Sequence, residues 1–344
     1  MINAKNSLYI FFASCLWLVS CIYFYRYEPN YKLDLYGHYK LFDFFHASND
    51  IEYLYDSYFG LSILIFIINS LGLNKEFLSI FTVSIIFLSV FFINYQYAKN
   101  LSSIKKTVSF IICLMILPIF DYVSGIRFGC GIAFLLLFFT CDKKIFKLLF
   151  AILSISMHFF MVFFFLVFII SRLIPNLSKF SAFLFLFICI SLSILFFQAS
   201  NDITQLTQGL DISSIFGRGG FDTYLSGHWG AGRFDLIDSK EKFVIYLNIY
   251  LFSLLSFYYI KKFNINNIIN KFIFILLCCS CLFFFYNQIF TRISYVVILF
   301  MFLNSLNYHK SYSELKFTKF GCFLFLVISI NFFTHVYSRI QYII

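Results

Sequence analysis

Apolar runs, seven of ten with 18–23 residues and three with 14 or 15, recur along the whole chain, and they constrain its fold more than any other feature. They lie at residues 8–25, 77–95, 107–120, 127–140, 148–170, 180–197, 243–260, 272–289, 293–307 and 320–338. Runs of this length cross a bilayer as helices, whereas the strands of a membrane barrel would alternate in polarity. With 61% hydrophobic and 12% charged residues, the sequence predicts an all-α, polytopic integral membrane protein. We expect one membrane domain over residues 1–344, with about 10–11 transmembrane helices.

Five short loops between these runs are basic, and basic loops face the cytoplasm. They are residues 96–106, 141–147, 171–179, 261–271 and 308–319. The polar, acidic and tyrosine-rich segment 26–57 then lies outside. The short run 58–71 must enter and leave on the outer side, as a re-entrant or interfacial segment. The run 148–170 should form a hairpin that turns near His158. One straight helix is the alternative, and it breaks the charge rule on one side.

Arginine follows the opposite rule from lysine. With this topology six of the seven arginines lie outside, namely Arg26, Arg127, Arg218, Arg233, Arg292 and Arg339. A planar guanidinium binds two phosphate oxygens at once, which a lysine ammonium does not. The outer arginines therefore favour a site for a lipid-linked phosphate or pyrophosphate. Snorkelling, or a salt bridge with Asp121 or a loop acid, is the alternative. Asp121 is also a candidate for binding the substrate.

The stretch from Asp121 to His158 contains the main candidates for catalysis. Arg127 begins one apolar run beside three glycines, and His158 ends the next run, with a lysine loop between them. Both side chains should therefore lie towards the outer face. The glycines allow a neighbouring helix or a ligand to approach the backbone. His158 can act as a general base towards a sugar hydroxyl, with a hydrogen-bonded packing histidine as the alternative.

The predicted outer loop 198–242 holds seven of the fourteen glycines. Glycine at this density lets the backbone approach a ligand closely. Arg218 and Arg233 are candidates for binding an anionic substrate there. Asp222 and His228 are further candidates for substrate binding or for the role of base. No His, Cys or carboxylate cluster has the spacing of metal ligands, so we expect a reaction that uses no metal and no cofactor.

Four short motifs resemble the EpsG-like/Wzy family of polysaccharide polymerases. The first is Ser124-Gly-Ile-Arg127-Phe-Gly-Cys-Gly-Ile-Ala133, followed by the Lys143-Lys144 loop and by Ser154-Ile-Ser-Met-His158-Phe. Phe290-Thr-Arg292-Ile-Ser-Tyr295 resembles the second arginine element of that family. Phe128 differs, because glutamine usually follows the arginine. This departure weakens any role assigned to the glutamine and leaves that of Arg127 unaffected.

The resemblance implies a GT-C-like membrane glycosyltransferase of the bacterial inner membrane. Such a polymerase joins undecaprenyl-pyrophosphate-linked oligosaccharide repeat units into O-antigen or a similar surface polysaccharide at the periplasmic face. It implies catalytic roles for Arg127, His158 and Arg292. The expected partners are the lipid-linked oligosaccharide, the bilayer and a chain-length regulator, with no nucleic acid. A flippase or transporter for the same lipid-linked oligosaccharide and an O-antigen ligase are the alternative functions.

The predicted topology places positions 75, 158 and 225 outside the cell membrane. We expect single cysteines there (Lys75→Cys, His158→Cys and Leu225→Cys), in a background without the ten native cysteines, to react with an impermeant maleimide in cells with a permeabilised outer membrane. A cysteine at Lys143, in a basic loop, should react only after the inner membrane is opened. If the cysteine at position 225 reacted only after the inner membrane is opened, the predicted sidedness would be reversed.

Overall fold

The computed structural model describes residues 6–31, 33–48, 59–198, 239–308 and 323–330. Every regular element in these ranges is a helix, which confirms the predicted all-α class for the described chain. The helices are α1 (Ser7–Arg26), α2 (Asp34–Ser48), α3 (Phe59–Ser70), α4 (Glu76–Tyr97), α5 (Ser103–Ile116), α6 (Ile119–Ser124), α7 (Ile126–Thr140), α8 (Lys144–Met157), α9 (Met161–Leu173), α10 (Lys179–Gln198), α11 (Ser239–Lys262), α12 (Ile268–Leu282) and α13 (Asn287–Tyr308). Residues 323–330 are helical as well.

Three stretches of helix are long and apolar enough to cross a bilayer: Ser7–Arg26, Glu76–Tyr97 and Ile289–Leu306. Five more helices are apolar but shorter: Phe59–Ser70, Ile126–Thr140, Met161–Leu173, Lys179–Leu195 and Ile268–Leu282. Large apolar side chains are exposed along α1, and water does not tolerate such a surface on a soluble protein. The chain is therefore a helical membrane protein. The larger number of spans and the single domain stay predictions.

The described chain divides into two compact units. Unit 1 contains α1 to α8 and the first turn of α9. Unit 2 contains the rest of α9 and the helices α10 to α13 as far as Ser305. Arg127 and His158 belong to unit 1, whereas Arg292 belongs to unit 2.

The two predicted cytoplasmic loops of unit 1 lie at the same end of it. The Tyr9 N–H donates to Ser103 Oγ at 3.0 Å, which joins the start of α1 to the start of α5. Loop 141–143 between α7 and α8 lines a groove of about 520 Å³ together with Tyr95 and Lys99, at the end of α4. We call this end, with loops 98–102 and 141–143, the basic end.

The other termini of these helices lie at the opposite end of unit 1. Tyr27, just after α1, packs its ring against Phe120 of α6 with centroids 5.3 Å apart. Tyr25, near the end of α1, packs against Phe77 at the start of α4 with centroids 6.2 Å apart. The start of α7 and the end of α8 also lie here. We call this end, identified by Arg127 at the start of α7, the arginine end.

Helix α3 begins and ends at the arginine end. A Cβ on Gly60, in its first turn, would lie 2.8 Å from Met157 Sδ at the end of α8. Gly72, with φ 68°, closes the far end of α3 in a left-handed turn that leads directly into α4. Its 12 residues span about 18 Å, well short of a bilayer core of about 30 Å. This geometry agrees with the interfacial or re-entrant segment predicted at 58–71.

The apolar run 107–120 does not form one helix, contrary to the sequence prediction. Helix α5 ends at Ile116, and Pro118 separates it from the short helix α6. Proline lacks an N–H and restricts the residue before it, so the helix cannot continue through this point.

The run 148–170 also breaks, at the position predicted for the hairpin turn. Helix α8 ends at Met157, His158 is extended with φ −155° and ψ 119°, and α9 begins at Met161. The alternative of one straight helix is therefore wrong. The return of α9 to the membrane face at which α8 begins stays a prediction.

Helix α2 was missed by the sequence analysis, which assigned residues 26–57 to a polar outer segment. Its buried side chains are Leu35, His38, Tyr39, Phe42 and Phe45. They recur every three or four residues, which is the spacing of one helix face. This apolar periodicity predicts an amphipathic helix. The overall composition of the segment, which is rich in aspartate and tyrosine, conceals the periodicity.

A buried asparagine joins three helices near the basic end of unit 1. Asn94 donates to Tyr9 Oη at 3.2 Å and to the Lys106 carbonyl at 3.1 Å, and it accepts from Ser109 Oγ at 2.7 Å. Polar groups inside a membrane protein need such internal partners, because hydrocarbon supplies none. The network fixes the positions of α1, α4 and α5 relative to one another.

Unit 2 has a comparable network beside its own basic loops. Asn270 Oδ1 accepts from Tyr259 Oη at 2.9 Å and from Asn304 Nδ2 at 2.7 Å. Lys179 Nζ donates to the Lys261 carbonyl at 2.9 Å, and Leu177 N–H donates to Asn266 Oδ1 at 2.9 Å. Loops 171–179 and 261–271 therefore share one end of unit 2, as expected if both face the cytoplasm.

Two glycines of unit 1 provide a matched test of the helix packing. A Cβ on Gly129 would collide with the Tyr122 carbonyl oxygen of α6, whereas a Cβ on Gly37 would meet nothing within 4 Å. We expect Gly129→Ala to lower the melting temperature in detergent, because overpacking costs about 1–3 kcal/mol. Gly37→Ala should preserve or raise it, since alanine favours a helix by about 1 kcal/mol. Equal melting temperatures for the two variants would contradict this packing.

Candidate functional site

The local sequence sets Arg127 in the first turn of α7. Gly125 ends α6, and its N–H donates to the Asp121 carbonyl at 2.7 Å. The Gly129 N–H then donates to the Gly125 carbonyl at 3.0 Å, which starts the next helix. The absence of a side chain at Gly129 lets α7 lie directly on the Tyr122 backbone. The prediction that small residues here permit a close helix approach is confirmed.

His158 lies beside the first turn of α7. Its imidazole packs against the Phe128 ring with centroids 5.5 Å apart and an interplanar angle of 86°. Both Arg127 and His158 are partly buried. Helices α7 and α8 run antiparallel, and the lysine-bearing loop that joins them lies at the basic end. The structure thus brings Arg127 and His158 to the end opposite loop 141–143, where the sequence predicted them.

Hydrogen bonds determine the orientation of the His158 ring. The backbone N–H of Phe160 donates to His158 Nδ1 at 3.1 Å. The His158 carbonyl accepts from the Met161 N–H at 2.9 Å, and its own N–H donates to the Ser154 carbonyl at 3.2 Å. The residue therefore ends α8 with its backbone and caps the first turn of α9 with its side chain.

His38 is a second histidine at the arginine end, and the sequence analysis did not single it out. It lies on α2, outside the predicted spans, and is 1% exposed. Burial, together with the smaller effect of the positive charge of Arg127, lowers its pKa to about 3. His38 is therefore neutral at physiological pH. The signal that could have found it is the buried face of α2, on which it lies between Leu35 and Tyr39.

Helix α2 is held over the start of α4 by polar contacts. The hydroxyls of Tyr39 and Ser79 are 2.7 Å apart, and Lys75 pairs with Asp43 at 2.5 Å. The ion pair is exposed and stabilises the fold only slightly. The buried hydroxyl pair fixes α2 more firmly, and with it the position of His38.

Carboxylates also lie at the arginine end. Asp34 Oδ2 is 4.0 Å from the position that a Cβ would take on Gly125, two residues before Arg127. Asp121 lies on α6, directly before this glycine turn. Asp34, His38, Asp121, Arg127 and His158 together are the described part of the candidate site. Asp34, like His38, was not selected from the sequence.

The remaining candidates lie elsewhere. Arg292 is partly buried near the start of α13 in unit 2. Helix α13 begins at Asn287, includes Arg292 and continues into an apolar stretch. Four further candidates fall outside the described residues: Arg218, Asp222, His228 and Arg233.

Comparisons with known proteins add no assignment. No protein-family model matches the chain, and neither a curated protein nor a solved structure matches it. Among the described residues, no group of three or more His, Cys, Asp or Glu side chains is placed to hold a metal ion. Function is therefore inferred from the chemistry of the arginine end and from the sequence motifs.

The low pKa of His38 predicts a stability that falls in acid. The unfolded chain binds a proton below about pH 6.5 and the folded chain does not, so stability falls by roughly 1.4 kcal/mol per pH unit towards pH 3. We expect His38→Gln to flatten the decline of the melting temperature between about pH 7 and pH 5. His46→Gln, an exposed control on the same helix, should keep the wild-type slope. An unchanged slope in His38→Gln would contradict the burial of a neutral imidazole.

Proposed function

We propose that this protein is a membrane glycosyltransferase that polymerises undecaprenyl-pyrophosphate-linked oligosaccharide repeat units at the periplasmic face of a bacterial inner membrane. One observation carries the proposal. Arg127, the start of α7 and His158 lie together at one end of unit 1, and the lysine-bearing loops lie at the other. The motifs that contain these residues resemble those of EpsG-like/Wzy polymerases.

The arginine end suits a diphosphate. Helix α7 directs the partial positive charge of its dipole to the turn that carries Arg127, so an anion is stabilised there. A guanidinium can bind two phosphate oxygens at once. His38 stays neutral beside it and adds no competing charge. Fixed donors and a fixed positive charge stabilise the leaving diphosphate as its negative charge develops.

The transfer step balances without a metal. The hydroxyl oxygen on the terminal sugar of the new unit forms a bond to the anomeric carbon of the growing chain. The bond from that carbon to the undecaprenyl diphosphate breaks, and its electron pair stays on the phosphate oxygen. The hydroxyl proton passes to a carboxylate. Asp34 and Asp121 are the carboxylates beside the glycine turn that precedes Arg127, and Asp222 in the long loop is a further carboxylate candidate from the sequence.

Sidedness supports the same assignment. If loops 96–106 and 141–147 are cytoplasmic, the arginine end faces the periplasm. From its sequence motif, Arg292 is a further candidate guanidinium for the lipid-linked substrate. Arg218, Arg233 and His228 of the long loop would contact the sugar or the diphosphate.

Reconstitution tests the activity directly. Purified protein in liposomes, given only undecaprenyl-pyrophosphate-linked repeat units, should produce a ladder of lengthened glycans on the lipid. A ligase would produce no ladder without a separate acceptor, and a flippase would move the substrate across the bilayer without changing its length. In cells, deletion should leave glycan capped with a single repeat unit, and persistence of long chains would refute the proposal.

Arg127 substitutions test the phosphate contact. Arg127→Ala should lower chain extension at least about 100-fold, because two charge-assisted hydrogen bonds contribute about 1.5–3 kcal/mol each. Arg127→Lys should recover little, since the bidentate contact is lost. Arg292→Ala should have a similar effect. Arg172→Ala is the control, because this exposed guanidinium lies over the Phe168 ring in a predicted cytoplasmic position. Full activity of Arg127→Lys would indicate that charge alone is required.

A further inference from the structure

The geometry of the α8–α9 junction assigns a definite role to His158, and this inference rests on the proposed function. We propose that His158 stays neutral through the reaction and donates a hydrogen bond from Nε2–H to the departing diphosphate. It is therefore not the base that takes the proton of the acceptor hydroxyl. From the sequence alone, His158 was a candidate for the base, with a hydrogen-bonded packing histidine as the alternative.

One hydrogen bond identifies the nitrogen of His158 that carries the proton. A backbone N–H can only donate, so the 3.1 Å contact between Phe160 N and His158 Nδ1 requires a lone pair on Nδ1. A neutral imidazole carries one proton on its two nitrogens. That proton is therefore on Nε2, which makes Nε2 a donor.

The imidazole ring is held against a rotation that would exchange the positions of Nδ1 and Nε2. Its backbone ends α8 and begins the turn into α9, through the contacts of Ser154 and Met161 described above. The Phe128 ring packs against it at 86°. Rotation that moved Nδ1 away from the Phe160 N–H would leave this donor of the helix turn without its cap. Such a loss is unfavourable in this partly buried turn.

Close packing of three helices holds this junction. A Cβ on Gly131 of α7 would lie 3.0 Å from Met161 Cγ, so the start of α9 rests directly on α7. Ser154 Oγ donates to the Gly131 carbonyl at 2.7 Å, which joins α8 to the same glycine. His158 therefore has its position set by the helix that carries Arg127.

A general base needs an accepting lone pair on the nitrogen that meets the substrate, whereas Nε2 carries a proton here. A fixed N–H donor instead complements the negative charge that develops on the phosphate oxygen when its bond to the anomeric carbon breaks. His158 neither gains nor loses a proton, and the hydroxyl proton goes to a carboxylate. Arg127 then supplies the charge, and His158 supplies the directed hydrogen bond.

Three substitutions separate a donor from a base. The amide nitrogen of His158→Gln can occupy the place of Nε2, that of His158→Asn can occupy only the place of Nδ1, and His158→Glu restores a base without a donor. In the reconstituted assay we expect His158→Gln to retain activity within about tenfold. We expect the Asn and Glu variants to lose at least about 100-fold. Activity of the Glu variant together with inactivity of the Gln variant would overturn the assignment.

A measurement on the wild-type protein covers the case in which these variants fold poorly. The ¹⁵N chemical shifts of a histidine ring distinguish a protonated nitrogen from a bare one. In wild-type protein labelled with [¹³C]carbonyl-methionine and with ¹³C,¹⁵N-histidine, the Met157–His158 peptide, the one Met–His step of the sequence, identifies the signals of His158. They should show a protonated Nε2 and a bare Nδ1 near neutral pH. A protonated Nδ1 would refute the inference even if the polymerase activity is established, and absence of a glycan ladder from the wild type would refute the proposed function itself.

Discussion

Backbone amides inside a hydrocarbon layer must find partners within the protein, and this requirement governs the structure. The apolar segments satisfy it as helices. Where a helix stops inside such a segment, another group has to replace the lost contact. Pro118 has no N–H to satisfy, Gly125 closes α6 on a carbonyl of its own turn, and His158 uses its imidazole to cap the next helix. The breaks are therefore placed where substitutes exist, and two of them surround the candidate site.

The two kinds of cation have separate uses in unit 1. Most of the described lysines of unit 1 lie near the basic end, where Lys106 at the start of α5 has its ammonium held by Asn6 and by the face of the Tyr95 ring. Lys75, at the start of α4, is instead paired with Asp43. Arg127 lies at the other end, in the first turn of a helix, where the helix dipole opposes a positive charge. Such a position is unfavourable for the fold and favourable for an anionic ligand. Local instability of this kind is expected where a protein binds its substrate.

Neutral histidine is the second recurring feature of the arginine end. His38 is neutral because burial and the charge of Arg127 disfavour its protonation. His158 carries its single proton on Nε2 because a backbone N–H occupies Nδ1. Two imidazoles near one guanidinium thus add donors and apolar surface without adding charge. Neither imidazole therefore adds a positive charge beside Arg127 at this end of unit 1.

The sequence by itself determined the helical membrane class, the bounds of most helices and the placement of Arg127 and His158 at the same end. These follow from local properties: the length of apolar runs, the position of lysines and the antiparallel return of two adjacent helices. The break at Pro118 and the helix α2 have local signals in the sequence, a proline and an apolar spacing of three to four residues, which the apolar runs and the overall composition obscure. The proximity of Asp34 and His38 to the start of α7 depends instead on contacts between residues far apart in the chain. The tautomer of His158 likewise depends on the tertiary structure, because only the folded turn shows which nitrogen accepts the Phe160 N–H.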